Sequence, residues 1–283
     1  MKYVTFYDQN GQLRTGAATD RGVVDVSEAY SMHDIIAGGA DLRLEVEAYA
    51  ENASVVLNES ELNYGPCVPQ PQKIICVGLN YRKHAEETNA PIPQYPILFN
   101  KFNNTLTGHG HDVVLPRVSD QVDYEAELVM VIGKTAKDVS KEEALDYVFG
   151  YCCVNDLSAR DLQMRTQQWL LGKSCDGFSP LGPYLVTADE VGNPNELDIK
   201  CIVNGETRQH SNTSDMIFDC DEIVSYISRH MTLVPGDIIL TGTPEGVVLG
   251  LPEDKRVYLQ DGDLVTIEIE KLGSLTNRMA AER

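Results

Sequence analysis

The sequence is short of positive charge: 23 lysines and arginines stand against 43 aspartates and glutamates, for a formal net charge of −20. Such a surface repels nucleic-acid phosphates and anionic lipid, so neither is expected as a partner, and an anionic ligand needs a local positive centre. No apolar run approaches the ~18 residues of a membrane span, and the opening residues MKYVTFYDQNGQ lack the apolar core of a signal peptide. The seven cysteines contain no C-x-x-C pair, which argues against a zinc ribbon, and their odd number argues against a disulfide framework. These absences lead to the expectation of a soluble, cytoplasmic protein with reduced thiols. What is present suffices for a core: 283 residues, 42% of them hydrophobic, suit one large domain or a large one with an appendage.

Residues 2 to 26 read as a meander of strands (KYVTFY, LRTGAAT, VVDV) turned at DQNGQ and TDRG. SMHDIIAGG and LRLEVEAYAE add short helices. Pro66, Pro69 and Pro71 then stiffen an extended connector, so a boundary is expected near residue 70, between a small α+β unit over 1–70 and a catalytic unit over 71–283. Beyond it KIICVGL is a strand, YRKHAEET a short helix, NAPIPQYP a proline-rich loop suited to a lid hinge, and ILFNKF a strand. Ser140 and Glu143 have capping-box spacing and predict a helix through SKEEALDYVFG. YCCVNDL predicts a strand, and SARDLQMRTQQW a helical stretch capped by Ser158. Asn204-Gly205 marks a hairpin turn, DEIVSYISRHM a helix with Ile223, Val224, Ile227 and Met231 on one face, and Gln260 to Asp263 a last hairpin turn. Trp169 reads as core. Strands outnumber helices and pair mostly through hairpins, which predicts an α+β fold with a β-rich core.

The stretch QVDYEAELVMVIGK, Gln121 to Lys134, raises the functional question. At the two-residue period of a strand, Asp123, Glu125, Glu127, Val129 and Val131 point one way and Tyr124, Ala126, Leu128, Met130 and Ile132 the other. Both faces turn apolar, so the acids sit at the mouth of a buried sheet rather than along a solvated edge. Two carboxylates ~7 Å apart on one strand face repel each other unless a cation lies between them. An acidic sheet edge without metal is the alternative. His84 and Glu87, at i and i+3, share a helix face where the carboxylate can orient the imidazole; a surface histidine beside solvating acids has the same spacing. Glu86 should point to solvent. His109 and His111 form an H-x-H pair able to chelate a soft metal, but a polar loop between strands explains them too.

Taken in order, LNYRKHAEE, DYEAELVMVIGK, NDLSARDLQ, WLLGKSCDG and LTGTPEGV resemble the fumarylacetoacetate hydrolase family over residues 73 to 270. The resemblance implies a mixed β-roll, commonly a homodimer, preceded by a small N-terminal domain and carrying Mg²⁺ or Mn²⁺. It implies Glu125, Glu127 and Asp156 as the metal ligands, which leaves about three positions of an octahedral ion for water or substrate. A fourth acid found in a better-known member has no counterpart in CVGLNY. His84 and Glu87 become a water-activating pair, Lys173 an ammonium able to stabilise an enolate oxygen, and Arg160, Gln163, Lys101 and Thr243 substrate contacts. For Lys173 a snorkelling surface lysine is the other reading.

Family members cleave carbon–carbon bonds in acylpyruvates or 2,4-diketo acids, and relatives decarboxylate oxaloacetate or isomerise unsaturated hydroxydiacids. The expected activity is therefore metal-dependent hydrolysis of a carbon–carbon bond in an acylpyruvate-like 2,4-dioxo acid, releasing pyruvate and a carboxylic acid. His84 would take a proton from the attacking water while the segment 81 to 96 closes over it. Decarboxylation of oxaloacetate or isomerisation of a diacid is the nearest rival. A noncatalytic metal- or ligand-binding protein is the rival from another class.

Overall fold

Alternating apolar residues make Lys2–Tyr7, Leu13–Thr19 and Gly22–Asp25 an antiparallel meander. In the computed structural model, which describes residues 1–282, that meander belongs to a larger sheet, because Lys2–Tyr7 also pairs with Ser179–Thr187. From Ser179–Thr187 the 11-stranded sheet continues through Val148–Asn155, Ala126–Ile132, Ile238–Leu240, Ile74–Gly78 and Ile97–Lys101. A second sheet of five strands is ordered Glu206–Asn212, Asp198–Val203, Leu264–Ile269, Gly273–Ala281 and Asp112–Leu115. The architecture is the β-rich α+β fold expected from the sequence.

Strand Ala126–Ile132 is buried along its whole length, and its two faces feed two cores. Leu128, Met130 and Ile132 pack with Ile199, Cys201 and Ile267 of the second sheet and with Ile223 and Ile227 of helix Cys220–His230. Val129 and Val131 enter the opposite core with Ile35 and Ile36 of helix Met32–Ala37 and Val46 of helix Gly39–Asn52. Each aliphatic side chain so buried contributes roughly 1.5–3 kcal/mol, enough to fix the register of this strand and with it the acids at its N-terminal end. No helix among the described residues is long and apolar enough to cross a membrane, and all seven cysteines are free.

Four local expectations need correction. Ser140 spends its hydroxyl on the Glu143 side chain at 3.0 Å instead of capping a backbone N–H, and the predicted helix shrinks to a 3-10 turn, Ala144–Tyr147, that feeds directly into Val148–Asn155. Ser158 lies in a strand bridge to Val122–Asp123 and donates to the Asp156 carbonyl at 2.9 Å, so helix Arg160–Gln163 starts without a side-chain cap. Met231 falls just past the end of its helix and is 38% exposed, because the helix stops at His230. Gln260 to Asp263 does turn, but the ladder partner of Leu264–Ile269 is Gly273–Ala281, reached through Lys271 at φ 67°. The Asn204-Gly205 turn is as expected, with both residues at positive φ (52° and 82°), the requirement of a two-residue type I′ hairpin.

Candidate active site

Strand register builds the acidic cluster. Ala126 faces Asn155 across the ladder, so Glu125 on one strand and Asp156 on the other meet where pairing ends. The Asp156 N–H donates to the Glu125 carbonyl at 2.9 Å, and the Glu125 N–H to Asn155 Oδ1 at 3.0 Å. Glu127, two residues on, accepts from the Gly242 N–H at 2.8 Å. Gly242 sits at φ 99°, and a Cβ there would come within 2.8 Å of Asn80 Cβ, so this N–H reaches the carboxylate only from a glycine. The carboxylate oxygens of Glu125, Glu127 and Asp156 lie within 4.8 Å of one another, and all three residues are buried.

Three buried cations surround them. Lys173 Nζ donates to Glu125 Oε2 at 2.6 Å and to Asp156 Oδ2 at 2.9 Å. Arg160 Nε donates to Asp123 Oδ2 at 2.9 Å, and Nη1 lies 2.8 Å from Glu125 Oε1 and 2.9 Å from Gln163 Oε1. Lys101 Nζ pairs with Asp156 Oδ1 and donates to the Phe178 carbonyl at 2.7 Å. Lys101 is therefore not a substrate contact: its ammonium is fully buried behind Asp156 and does not line the cavity. Burial opposes the charge on Glu125, but Lys173 and Arg160 outweigh it and hold this carboxyl at about 2. Glu127 has no such partner. Burial and then the Asp156 and Glu125 charges push its carboxyl well above the usual range.

Glu125 and Glu127 of the cluster line a cavity of ≈ 680 Å³ that is also lined by His84 and Glu87 of helix Arg82–Glu87. His84 and Glu87 share one face as their spacing requires, with Nδ1 2.7 Å from Oε1, while Glu86 is exposed. Glu87 is fixed from behind by the Gly246 N–H at 2.9 Å, and Gly250 leaves it room, since a Cβ there would sit 2.5 Å from Glu87 Cδ. The ring nitrogen Nε2 is left for the cavity. Thr243 lines the wall and accepts from Gln209 Nε2 at 2.9 Å, and the same Gln209 accepts from the Ala126 N–H. Trp169 is not core. It lines the cavity half-buried, edge-on to Phe99 with centroids 5.3 Å apart, because Gly78 beneath it has no Cβ to displace the indole. His109 and His111 are far from chelation: His109 Nδ1 accepts from the Thr276 N–H at 3.0 Å and His111 Nε2 bonds the Tyr64 carbonyl at 2.7 Å.

Asp123 and Arg256 are the residues that sequence reasoning left without a role. Asp123 accepts from Arg160 and from the Val248 and Leu249 N–H groups, each at 3.0 Å, and so ties the arginine to the loop behind Glu87. Its place on the Glu125 face of the strand was the available signal. Arg256 lines the cavity mouth from a loop whose course no local pattern encodes.

The residues fit a hard divalent cation. The donor set is all oxygen, and four buried carboxyl groups, Asp123, Glu125, Glu127 and Asp156, face three buried cations, which leaves Glu127 able to ionise only if a further cation is supplied. An unpaired buried charge costs several kcal/mol unless something neutralises it.

A sequence model described as fumarylacetoacetate hydrolase C-terminal matches residues 73–280. The chain is similar to a mitochondrial oxaloacetate tautomerase of Xenopus laevis, 40% identical over 264 residues, which covers 93% of this chain and 82% of that one. Among solved structures, a fumarylacetoacetate hydrolase from Exiguobacterium antarcticum has a TM-score of 0.86 at 36% identity with both chains fully covered. Maleylpyruvate hydrolase from Sphingobium sp. SYK-6, in complex with manganese(II) and pyruvate, has a TM-score of 0.84 at 32% identity, again with both chains fully covered. With the model match spanning the acidic strand, the histidine helix and the loop behind them, the chain belongs to the fumarylacetoacetate hydrolase family.

Proposed function

We propose that the protein is a divalent-cation-dependent enzyme that interconverts the enol and keto forms of a 2-oxo diacid of the oxaloacetate type. One observation carries this reading: the His84–Glu87 pair and Arg160, whose buried Nη2 has no hydrogen-bond partner, line one cavity with Glu125 and Glu127 of the acidic triad. A base thus shares its cavity with an unsatisfied donor able to hold an anionic substrate, which suits a group that loses a proton at carbon while gaining negative charge at oxygen. The similarity to oxaloacetate tautomerases supports the choice of reaction.

Glu125, Glu127 and Asp156 would hold the cation. When bound, a divalent cation supplies Lewis acidity toward the carboxylate and oxo oxygens of a 2-oxo acid, with Mg²⁺ and Mn²⁺ both compatible with oxygen donors. The chain's own residues do the rest. Arg160 Nη2 donates to the anionic end of the substrate, with Gln163 and Thr243 beside it. His84, its ring held by Glu87, takes the proton from C3 of the keto form and returns one to the 2-oxo oxygen, so the step conserves atoms and charge. Lys173 has two of its three N–H bonds on Glu125 and Asp156, and the third is available to the oxygen on which charge develops.

A second reading is hydrolysis of an acylpyruvate, with His84 taking its proton from water instead of carbon. The pyruvate bound by the maleylpyruvate hydrolase supports it. The family resemblance also leads us to infer a homodimer. Wild-type protein with Mg²⁺ should be given oxaloacetate and acetylpyruvate, following loss of the enol absorbance, release of CO₂ and formation of acetate. Rapid enol–keto exchange with little CO₂ or acetate is expected. Acetate release without accelerated exchange moves the conclusion to hydrolysis, and CO₂ release alone moves it to decarboxylation.

A further inference from the structure

Resting on the reading above, we infer that Arg256 is the specificity-determining residue that grips the distal carboxylate of the substrate and makes the site prefer 2-oxo diacids over 2-oxo monoacids. Three long cationic side chains line the cavity: Arg160, Lys173 and Arg256. The first two are bonded to the acidic cluster. Arg256 comes from elsewhere, the loop after the 3-10 turn Glu253–Lys255, and is half-buried at the cavity mouth. Its Nε donates to the Leu251 carbonyl at 2.9 Å, which fixes the plane of the guanidinium, and Tyr258 neighbours it.

No carboxylate of the described residues forms an ion pair with Arg256, although Glu253 and Asp254 lie three and two residues away and the chain carries 43 acids. On so acidic a surface a half-buried arginine kept clear of acids is a receptor waiting for an external anion. Arg256 and Arg160 both line this cavity, each from a separate segment, so a ligand with two anionic groups has a guanidinium for each. A monoacid of the same length leaves Arg256 unused. Charge-assisted, planar pairing with a carboxylate is what a fixed guanidinium provides best.

The test separates ligand length from chemistry by using unreactive four-carbon 2-hydroxy acids. Binding of L-malate, (S)-2-hydroxybutanoate and oxalate to the Mg²⁺-loaded protein is measured by calorimetry for wild type, Arg256→Leu and Arg256→Lys. Wild type is expected to bind malate at least ~10-fold tighter than 2-hydroxybutanoate. Arg256→Leu should abolish that preference while leaving oxalate, which reaches only the near end, within about twofold, and Arg256→Lys should restore part of it. Equal affinity of wild type for the two four-carbon acids, failure to bind malate, or an equal loss for oxalate and malate in Arg256→Leu overturns the assignment. Because none of these ligands tautomerises, a blank enol–keto assay with malate preference intact would remove the proposed reaction and leave the role of Arg256 standing.

Discussion

At the scale of single residues, Glu127 is the buried carboxylate with no cationic partner, and two opposite expectations follow. In chelator-treated protein near neutral pH Glu127→Gln should raise Tm by roughly 2–4 °C per kcal/mol gained, since folding no longer has to bury this carboxylate or force it to take up a proton. With Mg²⁺ or Mn²⁺ added, wild type should gain stability by mass action and the variant should gain almost none, which differential scanning calorimetry reads directly. Equal cation-dependent shifts in both proteins would exclude Glu127 as a ligand. His84→Ala should retain the cation-induced Tm shift and lose ~10²–10⁴ in kcat for enol–keto exchange. Gly250→Ala drives a methyl group to within 2.5 Å of Glu87 Cδ and should cost up to ~10²-fold in kcat with the cation shift intact, a loss that a passive surface glycine would not produce. Spacing along one strand made Glu125 and Glu127 legible as a pair, and spacing along one helix did the same for His84 and Glu87, but Asp156 comes from the neighbouring strand and only the family resemblance joined it to the acids and gave the dyad its role. Lys101 was misjudged because its partner, Asp156, comes from a different strand, and nothing in FNKF reveals which way the ammonium turns.

Elements show the same division. The strand Ala126–Ile132 could be read from its unbroken apolar run after the acids, because both of its faces are buried. The short helices could not. Ser140 and Ser158 both have N-cap chemistry in sequence, yet each hydroxyl is taken by a competing local acceptor, the Glu143 carboxylate in one case and the Asp156 carbonyl in the other. Helices Arg160–Gln163 and Leu170–Lys173, four residues each, are held by tertiary contact more than by propensity: a Cβ on Gly172 would stand 2.5 Å from Gln163 N and 2.6 Å from the Ala159 carbonyl. Gly172→Ala should therefore separate the two helices, and the expected result is weaker oxalate binding with the Tm shift on adding cation reduced, since Arg160 and Lys173 lose their common geometry.

Across the whole molecule, the connector near residue 70 marks a change of composition without isolating the parts it joins. Lys2–Tyr7 is the hydrogen-bonded neighbour of Ser179–Thr187, and helix Met32–Ala37 covers the core beneath Val129 and Val131. A chain beginning at residue 71 should expose that strand edge and that apolar face, and is expected to aggregate where the full chain stays dispersed in light scattering. The two halves of the site also differ in how they are anchored. The acids sit at the adjoining ends of two neighbouring strands in the middle of the large sheet, one of them bonded on both sides along residues 129–131, whereas His84 and Glu87 ride on a six-residue helix without a side-chain cap. Backbone opening around the acids then requires the sheet to come apart, while the histidine helix can open alone at far smaller free energy. Mild urea should accordingly silence proton transfer while the cation stays bound, so the molecule passes through a state that still holds its ion but has lost its base.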